Sequence, residues 1–508
     1  MDYALALVAG ALLALCFPRY GHPACAWIAL VPLLIALSGW RGRPGELPGQ
    51  PMLRSFVLGL ITGVVYFVGT VYWTGTVLSA FGGLQPFVAG VAMLLLALYL
   101  AIYPAIFAVV SSRLIATAGA PALLLTPAVW VATEYARGRM FGGFPWVPLG
   151  NSQVTVLPVV QFASILGVYG VSLVVAAVNA VAAFALLEPG RRRIKLIAAT
   201  AVGLIALAAW GSWRVADGSL TREGRPIRVG LLQGNVAQEE KWDPRHARRI
   251  FTTYIAMTRD AVRRGADYVI WPESATPFTF GEAPVSDQAL RDLAAEVQVP
   301  ILFGSDEDVH TNPPAYYNSA FQLGPDGRTV AVYRKMHLVP FGEFIPLQRW
   351  LTFVSPLVGR LTPFSEGESS VMLPVGSDRA STSICYEVVF PHLVRDAVNM
   401  GSELLTTVTN DGWYGHSSAP YQHFELASMR AVEQGRYLAR AANTGISGVV
   451  DPYGRVVARS GIFEQVGMVE EVRFLTTRTV YARIGDVAAY ASIVLTLAAL
   501  VALRPRRR

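Results

Sequence analysis

DYVIWPES (residues 267–274), TVAVYRKMHLVPFGEF (329–344) and STSICYEVVFP (381–391) are built alike. In each, an apolar run rich in β-branched and aromatic residues ends in a side chain able to do chemistry. The three side chains are Glu273, Lys335 and Cys385. Short runs of this type, bounded by Pro, Gly or acidic residues, read as strands. Outward from them, RPIRVGLLQGN (225–235), VPILFGSDED (299–308), YNSAFQLG (317–324), ELLTTVTND (403–411) and ISGVVDPYGRVVARS (446–460) read the same way, the last with DPYGR as a hairpin turn. Residues 244–264, about 288–297 and 420–440 carry helical patterns between them. Strands alternating with helices predict a layered α/β domain, placed at 214–480.

The rest of the chain is of another kind. Of 508 residues, 53% are hydrophobic and only 15% charged, against about 25% charged in soluble domains. Mean hydropathy is +0.42 despite the polar block, so the remainder must be strongly apolar, as in an integral membrane protein. Crossing a bilayer takes about 20 mainly apolar residues. Eight stretches qualify as expected spans: about 3–17, 24–40, 54–78, 86–111, 121–135, 155–187, 194–213 and 482–503. Seven make a bundle over 1–213, and the eighth follows the α/β domain within 481–508. The fifth carries Glu134, which suggests a tilted or partly interfacial helix. The N-terminal run lacks a basic n-region and a small-residue cleavage site, so it reads as a retained span rather than a leader.

The formal net charge of +7 is local. It gathers at Arg41, Arg43 and Arg54, at Arg191–Lys195 and in the Arg504–Arg508 tail. Basic clusters beside apolar spans are topology signals, so no nucleic-acid partner is expected. With the N-terminus inside, the cytoplasmic short loops and tail hold 12 Lys and Arg residues, and the short loops of the opposite side keep only the 3 residues Arg19, Arg137 and Arg139. Both termini are therefore expected in the cytoplasm and the α/β domain outside, in the periplasm of a bacterial inner membrane. In the outward loop 136–154, Arg137 and Arg139 can meet lipid phosphate while Phe144 and Trp146 sit at the interface. Plain interfacial anchoring of the loop is the alternative.

Three residue types then invite one chemistry. Cys385 is the only cysteine of the polar block, since Cys16 and Cys25 lie in or beside apolar spans. It can be a buried small residue, but Tyr386 and Glu387 give it polar neighbours, and a thiol that loses its proton is a nucleophile. Glu273 is either a solvated loop charge or a base held at a sheet edge. Lys335 is either an edge charge or an ammonium set against a developing oxyanion, and Glu343 could orient it. Trp413 and Tyr414 in NDGWYGH can be core aromatics or a lid wedge flanked by glycines. Seven His residues show no H-E-x-x-H spacing, and C-x-x-C, G-x-S-x-G and Walker A patterns are lacking. No metal and no cofactor is expected.

QGN (233–235), WPES (271–274), YRKMHLVPFGE (333–343) and CYE (385–387), in this order, resemble the carbon–nitrogen hydrolase (nitrilase) superfamily, whose members use a Glu–Lys–Cys triad. Joined to eight spans, they look like its membrane-bound branch, the apolipoprotein N-acyltransferases. The likeness is carried by QGNVAQEEKWDP, WPESATP, KMHLVPFGEFIPL, ICYEVVFP and TNDGWYG, with Ser274 where Thr is commoner. It implies an α-β-β-α sandwich of nitrilase type mounted on a helical bundle. It also implies transfer of an sn-1 acyl chain from a phospholipid, typically phosphatidylethanolamine, to the N-terminal amine of a diacylglyceryl-cysteine apolipoprotein. In those terms Glu273 is the base, Lys335 the oxyanion partner and Cys385 the nucleophile that carries a thioester in a ping-pong cycle. Trp242, Glu343, Tyr386, Glu387 and Trp413 fall at supporting positions.

The alternative is a membrane-tethered amidase of the same superfamily that releases its acyl group to water. Seven spans before the domain argue against a mere tether. A non-enzymatic lipid carrier is weaker still, because Glu134 is nearly alone as an ionisable residue within the spans.

Overall fold

A computed structural model describes residues 1–42, 46–312, 314–340, 342–344 and 364–503. Arg43, the Arg504–Arg508 tail and residues 345–347 of the Lys335 segment lie outside the described residues. The chain divides into two units. One holds Met1–Ser79, Gln85–Asp217 and Ile484–Arg508, and the other Ala80–Leu84 with Gly218–Arg483.

The first unit is helical. Met52–Val71, Pro86–Ala118, Ala163–Leu187 and the helix starting at Arg191 are long and apolar enough to cross a membrane. Asp2–Ala14, Pro23–Ser38 and Val487–Ala502 are shorter apolar helices, and the fifth expected span is a 3-10 turn followed by Thr126–Arg137. The expected span 54–78 breaks after Val71 and resumes at Trp73. There the Trp73 indole and the Thr74 hydroxyl donate to the carbonyls of Thr70 and Val71, a competition that loosens helices locally.

Small residues let these helices close on one another. A Cβ on Gly63 would lie 2.7 Å from Ala101, and one on Gly59 only 2.5 Å from the Pro104 carbonyl. Packing of this kind, with interhelical hydrogen bonds, replaces the hydrophobic drive that lipid removes. Asn179 supplies such bonds, accepting from Leu30 N–H and donating to Ala26 C=O, both at 2.8 Å. The last helix, Val487–Ala502, is held to Thr126–Arg137 through Tyr135–Tyr490 and Arg139–Asp486, each at 3.2 Å.

The loop after Thr126–Arg137 corrects the reading of Arg137 and Trp146 as interfacial residues. Arg137 is buried and donates to the carbonyls of Phe144 and Trp146 at 2.8 and 2.6 Å. Trp146 is fully buried against Trp73. Glu134 accepts from Leu149 N–H and the Ser172 hydroxyl. An Arg and a Glu that cannot be solvated have been used to tie down the loop's own backbone.

The second unit contains two six-stranded sheets. The first has the order β12-β1-β2-β3-β4-β5: β1 Pro226–Gln233, β2 Tyr268–Ile270, β3 Ile301–Val309, β4 Ala315–Leu323, β5 Thr329–Arg334 and β12 Val466–Arg473. The second has the order β11-β10-β9-β8-β7-β6: β6 Leu373–Val375, β7 Asp378–Ile384, β8 Leu404–Thr409, β9 Leu438–Ala442, β10 Gly448–Val450 and β11 Val456–Arg459. In each sheet three central strands run parallel, β1-β2-β3 and β7-β8-β9. Helices Pro244–Arg263 and Pro284–Val297 make the crossovers of the first, Pro391–Asn399 and Ala419–Gln434 those of the second. Ile250, Tyr254, Leu290 and Leu293 from the helices pack with Trp271, Phe303 and Phe321 of the first sheet. Between the sheets, the Ser447 hydroxyl of one half donates to Gln233 of the other. The layers are helix, sheet, sheet, helix.

Two boundaries differ from expectation. The helix read to 440 stops at Gln434, where Gly435 takes φ +61° and caps it. LARAA then forms β9, buried between β8 and β10. Its letters favour a helix, and tertiary pairing overrides them. The helix read from 288 begins at Pro284, a residue suited to a first turn. The Pro391–Asn399 helix and strands β6 and β12 were not foreseen.

Candidate active site

Each of the three candidate residues stands where a strand gives out. Cys385 follows β7 at the start of a 3-10 turn, Cys385–Val389. Its φ is +51°, a left-handed conformation uncommon outside glycine that clusters at functional sites. Glu273 follows β2, and the next residue, Ser274, also has positive φ, +42°. Gly304 of β3 lies directly under that turn: a Cβ there would sit 2.6 Å from Glu273 Cα and 2.5 Å from Ser274 N. Lys335 follows β5, its N–H bonded to Asn318 C=O at 2.9 Å.

All three are buried. Lys335 Nζ lies 2.8 Å from Glu343 Oε1 and 3.6 Å from Glu273 Oε1. The Asn318 amide donates to both carboxylates, at 2.8 Å to Glu273 and 2.9 Å to Glu343. The other oxygen of Glu273 accepts from Asn410 N–H at 2.7 Å, and that of Glu343 from Val339 N–H at 2.8 Å. Burial opposes the charge on Lys335, but Glu343 and Glu273 outweigh it and hold the ammonium well above its usual pKa. Burial, aided by Glu273 and opposed by Lys335, pushes the Cys385 thiol up to about 12. The resting thiol is therefore protonated and needs a base at the moment of attack.

Glu387 ties two of these pieces together. Its Oε1 accepts from Tyr333 OH, Met336 N–H and His337 N–H at 2.9, 2.6 and 3.1 Å, and its Oε2 from Ile384 N–H at 2.7 Å. One carboxylate thus pins the strand end beside Lys335 to the turn that carries Cys385. Tyr386 is buried, with Phe390 edge-on at 5.1 Å. Trp242 and Trp413 are of another sort, 45% and 38% exposed. The Trp413 ring meets Phe81 edge-on at 5.1 Å, and Tyr414 is buried. Glu273, Lys335, Cys385, Glu343 and Glu387 are thus gathered in one buried cluster, and the two tryptophans reach solvent.

Several residues here were not singled out from sequence. Lys241 is buried and its ammonium donates to Glu273 C=O at 3.1 Å. Burial lowers its pKa to about 8 against the pull of Glu273 and Asp306. It stands beside Trp242 in the QGNVAQEEKWDP segment, yet after two glutamates it reads as a solvated charge. Asn318 and Asn410 place the Glu273 carboxylate; in YNSAFQLG, Asn318 shares the run with Ser319 and Gln322, so nothing in the letters set it apart. Among the described residues no cluster of three His, Cys, Asp or Glu side chains suits a metal ion.

Comparison with known proteins matches residues 228–478 to the Carbon-nitrogen hydrolase family and residues 9–181 to the Apolipoprotein N-acyltransferase N-terminal domain. The Apolipoprotein N-acyltransferase of Geobacter metallireducens is 38% identical, over 100% of this chain and 96% of its own. That of Shewanella oneidensis is 34% identical over 95% of this chain and 92% of its own. A solved amidase of the nitrilase superfamily, from Nesterenkonia AN1, is similar at 20% identity and a TM-score of 0.40, covering 53% of this chain and 98% of its own. With whole-length relatives on both halves and a buried Glu, Lys and Cys at three strand ends, this chain belongs to the apolipoprotein N-acyltransferase family, acyltransferases of the carbon–nitrogen hydrolase superfamily.

Proposed function

We propose that the enzyme moves an sn-1 acyl chain from a phospholipid, phosphatidylethanolamine in the first instance, to the N-terminal amine of a diacylglyceryl-cysteine apolipoprotein, through a thioester on Cys385. The observation that carries the reading is the Lys335 ammonium, buried between Glu273 and Glu343, with a protonated thiol within its field. In the first half-reaction Glu273 takes the thiol proton and the sulfur attacks the ester carbonyl. The carbonyl π pair moves onto oxygen, where Lys335 and a backbone N–H beside Cys385 receive it. Collapse expels the lysophospholipid alkoxide, which leaves with the proton from Glu273. In the second, Glu273 deprotonates the acceptor amine, the amide forms, and the departing thiolate takes the proton back. The kinetics are ping-pong.

Lys335 needs Glu343 for this cycle. With Glu273 alternately charged and neutral, a lone lysine would face a changing field; Glu343, which takes no part in the proton transfers, holds Nζ at 2.8 Å throughout. The membrane helices have a physical reason too, since drawing an acyl chain into water costs about 0.8 kcal/mol per CH₂. On the balance of Lys and Arg in the short loops, both termini face the cytoplasm and the Gly218–Arg483 region the periplasm of an inner membrane.

Intact-protein mass spectrometry tests the reading. Detergent-purified enzyme incubated with phosphatidylethanolamine and no acceptor should gain one acyl mass on Cys385. Cys385→Ala should gain none, and a diacylglyceryl-cysteine peptide should discharge the adduct with the acyl chain on its amine. Discharge to free fatty acid, with the peptide unmodified, would make the protein a membrane-held hydrolase instead.

A further inference from the structure

Behind Cys385, outside the Glu–Lys–Cys cluster, lies a second buried chain of polar groups. Arg440 of β9 donates to Asp411 Oδ2 at 2.9 Å. Asp411 Oδ1 faces His423 Nδ1 at 3.0 Å, and His423 Nε2 lies 3.1 Å from the Cys385 carbonyl oxygen. Arg440 Nη2 also lies 3.1 Å from His423 Nδ1, and Thr409 OH donates to Asp411 Oδ1 at 2.9 Å. Arg440, Asp411 and His423 are completely shielded from solvent. Nothing in the acyl-transfer cycle above uses them.

The carbonyl oxygen of Cys385 can only accept, so Nε2 carries a proton. That holds whether the ring is neutral, with Nδ1 accepting from Arg440, or charged, with Nδ1 donating to Asp411. Burial and Arg440 both push the imidazole towards the neutral form, while Arg440 is the main group that overcomes burial to hold Asp411 below the usual carboxylate range. In both of these states Nε2–H donates to the Cys385 carbonyl at 3.1 Å.

A trans peptide is planar, and its C=O and N–H point opposite ways. The plane that carries the Cys385 carbonyl also carries the Tyr386 N–H, so fixing one end aims the other. Cys385 sits at φ +51°, a conformation a non-glycine residue holds only when its surroundings over-determine it. We propose that His423, braced by Asp411 and Arg440, is the positioning residue that locks the Cys385–Tyr386 peptide and so aims the Tyr386 N–H at the oxyanion formed during acylation. This rests on the Cys385 thioester reading.

The test separates oxyanion stabilisation from thiol reactivity. Attack on a phospholipid ester builds charge on a carbonyl oxygen; alkylation by iodoacetamide is a displacement at carbon and builds none. Whole enzyme in detergent is followed by mass for acylation from phosphatidylethanolamine and for alkylation of Cys385, with a melting curve for each variant. His423→Leu should acylate about 10- to 100-fold more slowly, short of the ~10²–10³ lost when an oxyanion donor is removed outright. Its alkylation rate and pH profile should stay within about twofold of wild type. His423→Gln, whose amide nitrogen reaches the Nε2 position, should recover most of the acylation, and the shorter His423→Asn should not. Should His423→Leu fail to fold, the Gln and Asn pair carries the comparison. Wild-type acylation in His423→Leu and His423→Asn overturns the inference, as does alkylation that falls in step with acylation. A wild-type enzyme that gains no acyl mass on Cys385 refutes the thioester reading itself, and this inference falls with it.

Discussion

A single methyl group at Gly304 probes how tightly the Glu273 turn is held. Gly304 N–H donates to Pro272 C=O at 3.1 Å and its C=O accepts from Ala275 N–H at 2.8 Å, so strand β3 clamps the turn from below. A Cβ at 304 meets Ser274 N at 2.5 Å, whereas ordinary contact begins at 3.4 Å. The turn must then shift by about 0.9 Å, and backbone cannot swing aside as a flexible side chain would. A shift of that size takes the Glu273 carboxylate out of hydrogen-bond range of Asn318 and Asn410, now at 2.8 and 2.7 Å. Misplacing a catalytic group by about 1 Å costs on the order of 10²-fold in rate, equivalent to ~2.7 kcal/mol of barrier. Overpacking costs stability as well, about 1–3 kcal/mol. Gly304→Ala should therefore form the Cys385 acyl adduct about 100-fold more slowly, in rapid-quench mass spectrometry, while melting only a few degrees early. Gly203→Ala, where a Cβ meets nothing within 4 Å, is the control and should leave the rate unchanged. A Gly304→Ala enzyme acylating within about threefold of wild type would show that Glu273 is not held by this contact or is not the base.

Three other buried polar side chains, Lys241, Glu343 and Asn179, give measurable outcomes of their own. Below pH 8 Lys241 is charged in both folded and unfolded chains and its burial cost is carried in full; between pH 8 and 10.5 only the folded protein has lost the proton. Wild type should thus gain about 3 kcal/mol over Lys241→Met across that window, and a flat difference in denaturation midpoints would refute it. Glu343→Gln removes the nearer counter-charge of a buried ammonium and should cost about 3 kcal/mol in chemical denaturation together with most of the activity; a neutral effect would mean Glu273 alone suffices. In the helical unit, Asn179→Ala removes the bonds to Leu30 and Ala26. It should cost about 1–2 kcal/mol in thermal stability in detergent and leave the Cys385 alkylation rate unchanged.

Much of the α/β unit was legible because its parallel strands are buried on both faces and so appear as uninterrupted apolar runs. For the same reason Glu273 and Cys385, after the parallel strands β2 and β7, stood out as polar stops, whereas Lys335 ends the antiparallel edge strand β5. What escaped were elements whose state is set by partners distant in sequence. LARAA is a strand because β8 and β10 flank it, and β12 exists because β1 offers an edge from Pro226 to Gln233. Arg137 looked lipid-facing because sequence shows charge and cannot show the carbonyls of Phe144 and Trp146 waiting for it. Lys241, Asn318, Asp411, His423 and Arg440 shared that fate. Each is an ordinary polar letter until the fold removes its water and leaves only protein to bond with.

The clasp between the last helix and Thr126–Arg137 also sets an order of events during synthesis. Tyr135 and Tyr490 are 355 positions apart, and nearly all the intervening chain must be made before they can meet. At about 5–20 residues per second that is roughly 20–70 s of translation. Throughout that interval the nascent bundle has a vacant flank, with Arg139 still awaiting Asp486. A chain ending at Arg483 would bear Glu273, Lys335 and Cys385 yet lack the helix that brings Tyr490 and Asp486 to that flank.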